Sequence, residues 1–168
     1  MRFSKEEVLK ILPHRDPFLF VDSVESVDLP DGVDVDIEKS DYRTLVGTKI
    51  RGNFFAREDL SFFKGHFPGN PVFPGVIMVE MMAQTSAFLM APSLKGRYDE
   101  YKLDVLFSSL DKVKFRKIVK PGMNIVIESE LVKTMAGFLV FKARCLNDGQ
   151  VVSEASFMAA IKIVKREK

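Results

Sequence analysis

Residues Phe62–Met90 read FFKGHFPGNPVFPGVIMVEMMAQTSAFLM, and this stretch decides the fold. From Val76 to Met90 it is apolar on nearly every side, which places a helix in an interior rather than on a surface. Glu80 and Gln84 interrupt the run, and it is short for a bilayer span, which takes about 20 apolar residues. Pro74 and Gly75 stand at its start and Pro92 beyond its end, punctuation that suits a helix with sharp limits. The expectation is a buried central helix over Val76–Met90 carrying one carboxylate, Glu80. Ahead of it, Gly65–Pro74 packs three prolines, two glycines and one imidazole, His66, into a stiff loop.

A carboxylate buried without a partner costs several kcal/mol or takes up a proton. Two readings of Glu80 stay open at this level. It is a core acid satisfied by a backbone amide or a basic residue elsewhere, or it is a site acid tuned by its surroundings.

Composition narrows the classes. A chain of 168 residues, 46% hydrophobic and with 15 phenylalanines, reads as one globular domain spanning 1–168. A net charge of +2 gives no bulk reason for a nucleic-acid partner. The single cysteine, Cys145, forms no intrachain disulfide and fits a reducing compartment. One cysteine and two histidines leave no zinc-type cluster. The first ten residues, MRFSKEEVLK, lack the apolar core of a signal peptide. The expectation is a soluble, cytoplasmic chain without membrane insertion.

Working outward, Ser4 followed by Glu7 predicts a capping box for a short helix with Val8, Ile11 and Leu12 on one face, stopped by Pro13. His14 and Arg15 then fall in a loop. His14 reads either as a second base or, as we favour from the sequence, as a loop histidine fixing local structure, because no neighbouring acid is there to tune it. Strands are predicted at Phe18–Val27, Val33–Ile37, Thr48–Ala56, Lys102–Leu110, Lys112–Val119, Ile125–Lys133, Phe138–Leu146 and Val151–Val164. Residues 38–48 carry no recognisable pattern. Ala136-Gly137 and Asn147-Asp148-Gly149 predict hairpin turns, so the C-terminal half is a meander of long antiparallel strands. One buried helix with such a sheet is an α+β fold in which the sheet wraps the helix. Lys112, Lys114, Arg116, Lys117 and Lys120 crowd nine residues, either as a solvated strand face or as a landing patch for an acidic partner.

The central stretch has the parts to remove water from a 3-hydroxyacyl thioester. His66 has the imidazole suited to taking the proton beside the carbonyl. The N–H of Gly75, at a helix start, suits the enolate oxygen, and the missing side chain lets a thioester approach. Glu80, if burial raises its pKa, is placed to protonate the leaving hydroxyl or to hold a water. Gln84, one turn on, shares its face and orients it. Phe63, Phe73, Phe88 and several methionines line either a tunnel or an ordinary core, and the second reading is favoured.

The segment GHFPGNPVFPGVIMVEMMAQ (residues 65–84) closely resembles the active-site segment of the (3R)-hydroxyacyl-[acyl-carrier-protein] dehydratases of bacterial fatty acid synthesis. LPHRDPFLFVD (residues 12–22) and DKVKFRKIVKPG (residues 111–122) extend the resemblance over most of the chain, with residues 33–47 resembling an insertion. It implies a hot-dog fold, a long helix wrapped by a curved antiparallel sheet, in dimers or in hexamers that are trimers of dimers. It implies a site at the dimer interface, His66 as catalytic histidine from one subunit, Glu80 as catalytic acid from the other, and Gly75 as the amide that binds the thioester. Gln84 joins them as a substrate-binding residue. No cofactor or metal is needed. The substrate is held on the phosphopantetheine of acyl carrier protein, an acidic partner, which favours Lys114, Arg116 and Lys117 as its docking patch, with Lys95 and Arg97 beside them. The alternatives are a dehydratase/isomerase, which carries Asp where this chain has Glu80, a hot-dog acyl-thioesterase, a non-catalytic acyl-binding protein, and a hydratase of coenzyme A esters.

Overall fold

The computed structural model describes residues 1–36 and 42–166. Helix α1 (Lys5–Ile11) begins with the expected box: Glu7 N–H and Ser4 N–H each find the other residue's side-chain oxygen. It stops at Leu12, and two of its open carbonyls, Leu9 and Leu12, accept from the Arg15 guanidinium. That bond anchors the residues after Pro13 to the end of α1.

Helix α2 (Gly75–Ala87) is the axis of the fold. Met78, Val79 and every residue from Met81 to Ala87 are buried, while Glu80 is partly exposed. The chain then tightens into a 3-10 coil, Phe88–Leu94, all of it buried and with Pro92 inside. The sequence reading had one α-helix ending before Pro92; the difference follows from the missing N–H of proline, which an α-helix cannot use and a tighter coil tolerates. The run Gly75–Leu94 is thus 20 residues and, by length and composition alone, enough to cross a membrane, yet 78% of its most apolar window is buried within the fold. Enclosure, not shortness, marks it as a core helix.

Six strands enclose it: β1 (Ser23–Asp28), β2 (Lys49–Phe55), β3 (Tyr101–Phe115), β4 (Asn124–Met135), β5 (Phe138–Asn147) and β6 (Gln150–Lys165), all antiparallel, in the order β1-β2-β4-β5-β6-β3. This is the hot-dog arrangement. The inward positions alternate as a period of two demands: Ile125, Ile127, Ser129 and Leu131 on β4, and Leu139, Phe141, Ala143 and Cys145 on β5. Small residues among them let the helix lie close, and Ser86 and Ser129 share a buried hydroxyl–hydroxyl bond of 2.6 Å. Register shifts in four of the five ladders kink the strands into a wrap.

Some expectations are corrected. Lys102–Leu110 and Lys112–Val119 are not two strands. They are one, β3, broken in register between Asp111 and Lys114, where Lys112 takes φ 51 and its N–H is held by the Asp111 carboxylate. Residues 116–119 leave the sheet. β3 pairs with β6 at the far edge, so only β4-β5-β6 form a meander. Phe18–Asp22 are not strand; β1 starts at Ser23. Val33–Asp36 form no strand either, although Val35 is buried, and Ile37 lies outside the described residues. In the segment that resembles an insertion, Tyr42–Leu45 forms a 3-10 turn that buries Leu45, and Gly47 N–H bonds the Leu131 carbonyl.

The helix lies close against the sheet at Gly52 of β2. A Cβ there would lie 3.0 Å from Thr85 Cγ2 and 3.2 Å from its Oγ1, and Thr85 is fully buried. Gly52→Ala is therefore expected to lower stability by about 1–3 kcal/mol through overpacking. The check is a lower urea midpoint at unchanged m-value, partly restored by Thr85→Ser. An unchanged midpoint would mean the contact has room to give.

Candidate active site

His66 sits in a loop closed by its own backbone. Phe67 and Asn70 exchange N–H···O=C bonds of 3.2 and 2.9 Å, and Val72 N–H donates to the His66 carbonyl at 2.8 Å. Gly69 takes φ 74 at the tip, the left-handed region that glycine enters freely. The His66 ring stacks on Phe67, 4.1 Å between centroids. Its Nδ1 lies 2.8 Å from the Val72 carbonyl. A carbonyl only accepts, so Nδ1 carries the hydrogen, and in the neutral ring Nε2 is left with the lone pair. The loop thus fixes which ring nitrogen faces the cavity.

The same cavity, about 410 Å³, is lined by His66, Phe73, Gly75, Met78, Phe115 and Ile118, with Arg116 and Lys117 on its wall. Gly75 opens α2, and the N–H groups of Gly75 and Val76 have no acceptor among the described residues. They face a ligand site with the positive end of the helix dipole behind them. A Cβ on Gly75 would meet the Phe115 ring at 2.8 Å, so glycine is required for that ring to lie over the helix start.

Glu80 has a different set of neighbours. His14 Nε2 lies 3.4 Å from its Oε1, and Gln84 Nε2 donates to the same oxygen at 2.9 Å. Oε2 takes no bond among the described residues. Gln84 is fully buried; its second N–H donates to the Phe18 carbonyl and its oxygen accepts from Phe20 N–H. Both amide donors are therefore in use, one of them on Glu80. The loop 14–20 thus grips Glu80 and Gln84 at three points.

The sequence reading let burial raise the Glu80 pKa. Burial is indeed the largest influence and pushes it up. Hydrogen bonds from His14 and Gln84, with the His14 charge, outweigh it and hold the carboxyl below the usual range. Glu80 rests as a carboxylate. His14, read from sequence as having no acid partner, has one. The available signal was LPHRDP, a histidine held between Pro13 and Pro17; its pairing with Glu80 spans most of the N-terminal half and has no local trace.

No hydrogen bond or ion pair among the described residues joins His66 to Glu80, and Glu80 does not line the His66 cavity. The basic run also divides. Arg116 and Lys117 flank His66 and Gly75, whereas Lys112 and Lys114 line a larger concavity on the outer sheet face with Arg51, Glu128 and Arg144. Glu154 pairs with Arg116 at 2.6 Å and Lys114 at 3.8 Å, and Lys117 bonds Gln150. Lys95 pairs with Asp34 and Arg97 lies over the Tyr101 ring, so neither joins the cavity.

Residues 12–156 match the model of the FabA-like domain family. The chain is 36% identical, over 95% of its length and 99% of the relative's, to the 3-hydroxyacyl-[acyl-carrier-protein] dehydratase FabZ of Caldicellulosiruptor bescii. It is 40% identical, over 92% and 90%, to the FabZ of Escherichia coli O9:H4. Among solved structures, a chain of the dehydratase heterocomplex ApeI:P from Xenorhabdus doucetiae superposes with a TM-score of 0.63 at 17% identity, over 96% of this chain and 91% of that one, a likeness of fold. On the matched segment and its relatives, this chain belongs to the FabZ dehydratases of the FabA-like family.

Proposed function

We propose that this chain removes water from the 3-hydroxyacyl group of an acyl carrier protein thioester, leaving the trans-2-enoyl thioester, in fatty acid elongation. It is a hydro-lyase. The observation that carries the reading is His66, with Nδ1 tied to a carbonyl and Nε2 free, sharing one cavity with the unpaired N–H of Gly75. Nε2 takes the C2 proton, and the N–H of Gly75 receives the thioester oxygen as charge builds there. The C3 hydroxyl then departs beside Glu80. The elimination needs no electron carrier, so no cofactor is assigned, and the reaction is placed in the cytoplasm.

Separation of His66 from Glu80 within one chain supports a site completed by a second copy. β3 supports it too: it is an edge strand of 15 residues that leaves Leu106, Leu110 and Phe115 exposed, an edge open to antiparallel pairing. We assign a homodimer with His66 of one subunit facing Glu80 of the other, further assembly into a hexamer being compatible. Arg116 and Lys117, at the cavity wall, are assigned to the acidic carrier protein; Lys114 belongs to the outer face.

The first test supplies 3-hydroxyacyl and trans-2-enoyl carrier thioesters separately and follows enoyl absorbance, free thiol and the 3-enoyl isomer. Interconversion without thiol release is expected; thiol release alone would make the protein a thioesterase. His66→Ala and Glu80→Gln are each expected to lose at least about 100-fold in kcat. Mixing and refolding these two inactive variants together should recover about a quarter of wild-type activity, because half the random dimers regain one intact site. No recovery would place the whole site in one chain. Lys117→Glu should raise KM for carrier-bound substrate several-fold at low salt, with the effect fading as salt rises, while Lys112→Glu should not. Equal behaviour of the two variants would remove Lys117 from docking.

A further inference from the structure

We propose that the acid of this reaction is the His14–Glu80 pair, in which His14 stores the proton that Glu80 hands to the departing hydroxyl. The proposal rests on the dehydratase reading and asks where the second proton comes from. His66 removes a proton and cannot also supply one in the same step. A carboxylate accepts, and Glu80 rests as a carboxylate. Gln84 is an amide with no proton to give. His14 is the remaining group on Glu80, and an imidazole is the side chain that gains and loses a proton in the physiological range.

The geometry is built for this. His14 Nε2 lies 3.4 Å from Glu80 Oε1, the two side chains being 19% and 22% exposed. That is long for a resting bond and within the reach that tightens when a site fills. His14 Nδ1 is buried with no hydrogen-bond partner among the described residues, so no second bond competes with Glu80 for the ring. Arg15, its neighbour, turns away to the carbonyls of Leu9, Leu12 and His14. Among the described residues His14 is the only charged group that acts on Glu80. Glu80 Oε1 takes the Gln84 hydrogen bond and faces His14, and Oε2 is the atom left over.

The step balances. The C2–H bond breaks and its proton joins His66 Nε2. The electron pair forms the C2=C3 bond, and the C3–O bond breaks. The proton on His14 Nε2 passes to the Glu80 carboxylate. A half-turn about the Glu80 Cγ–Cδ bond carries it to the substrate side while Oε2 takes over the bond from Gln84. From there it goes to the leaving oxygen. Water and the enoyl thioester remain, His66 is protonated, His14 is neutral, and solvent returns one proton between them. His14 acts through Glu80 and is a positioning and proton-supplying residue.

The test compares kcat–pH profiles of wild type and His14→Gln on the full-length protein. Glutamine keeps a hydrogen bond to Glu80 but holds no proton. We expect kcat at pH 8 to fall about 100-fold with KM within about twofold, and the alkaline limb to move toward the carboxyl range. A second loss should be absent: His14→Gln added to Glu80→Gln should be no slower than Glu80→Gln alone. A profile that overlays wild type, a uniform loss at every pH, or a change in KM alone overturns the proposal. If His14→Gln does not fold, the wild-type protein decides. Its alkaline limb should shift with temperature as an imidazole ionisation does, and a limb that stays still is a carboxyl and overturns the pair. Wild-type turnover itself reports on the dehydratase reading, so the two failures are distinguishable.

Discussion

A helix that is apolar on all sides has to be enclosed on all sides, and the rest of this structure follows from that constraint. A flat sheet covers one face of a helix; β3 to β6, running from 10 to 16 residues, have to bend around α2. The bulges in the ladders supply the bend, and serine, alanine and cysteine at inward positions supply the clearance. Met78 shows how fully the space is used: the Cys145 thiol points at its carbonyl and the Ser153 hydroxyl at its sulfur. Cys145 is wholly buried, and burial pushes its thiol up to about 12, so it is packing and not chemistry.

Enclosure by strands is incomplete where α2 turns Glu80 and Gln84 outward. That seam is closed by the loop 14–20, whose backbone carries the donors and acceptors that strands have already spent on one another. Phe20 N–H and the Phe18 carbonyl saturate Gln84, and His14 reaches Glu80. Polar groups on a core helix are tolerated because a non-sheet segment is there to satisfy them. The candidate site is therefore a consequence of how the wrap closes, with Glu80 in the seam and His66 in the stiff loop that leads into the same helix.

This arrangement explains what the sequence made legible. The Phe62–Met90 stretch carries His66, Gly75 and the buried helix within one local run, so the residues that share the cavity and the axis beside it were readable from spacing and punctuation. The period of two gave β4, β5 and β6 nearly to the residue. What failed was non-local or conformational. A left-handed Lys112 inside β3 looks like a strand break because lysine carries no signal for that geometry. The division of the basic run at Phe115 follows from the chain leaving the sheet there. His14 was read as isolated because its acid lies on another element, and the bonds that loop 14–20 makes to Gln84 went unread because that loop is remote in sequence.

Glu80 also ties the site's order to its charge. Burial raises its pKa and His14 with Gln84 lowers it further than burial lifts it. A carboxyl held below its unfolded value contributes stability that is present above the ordinary glutamate range and is lost as pH falls through the folded value. The same bonds that keep Glu80 ionised therefore also help hold loop 14–20 against α2, and protonating Glu80 from bulk solvent loosens the seam that positions it. A proton passed from His14 to Glu80 leaves the total charge of the pair unchanged until Glu80 gives it up, so no proton from bulk solvent has to enter the seam before the C3–O bond breaks.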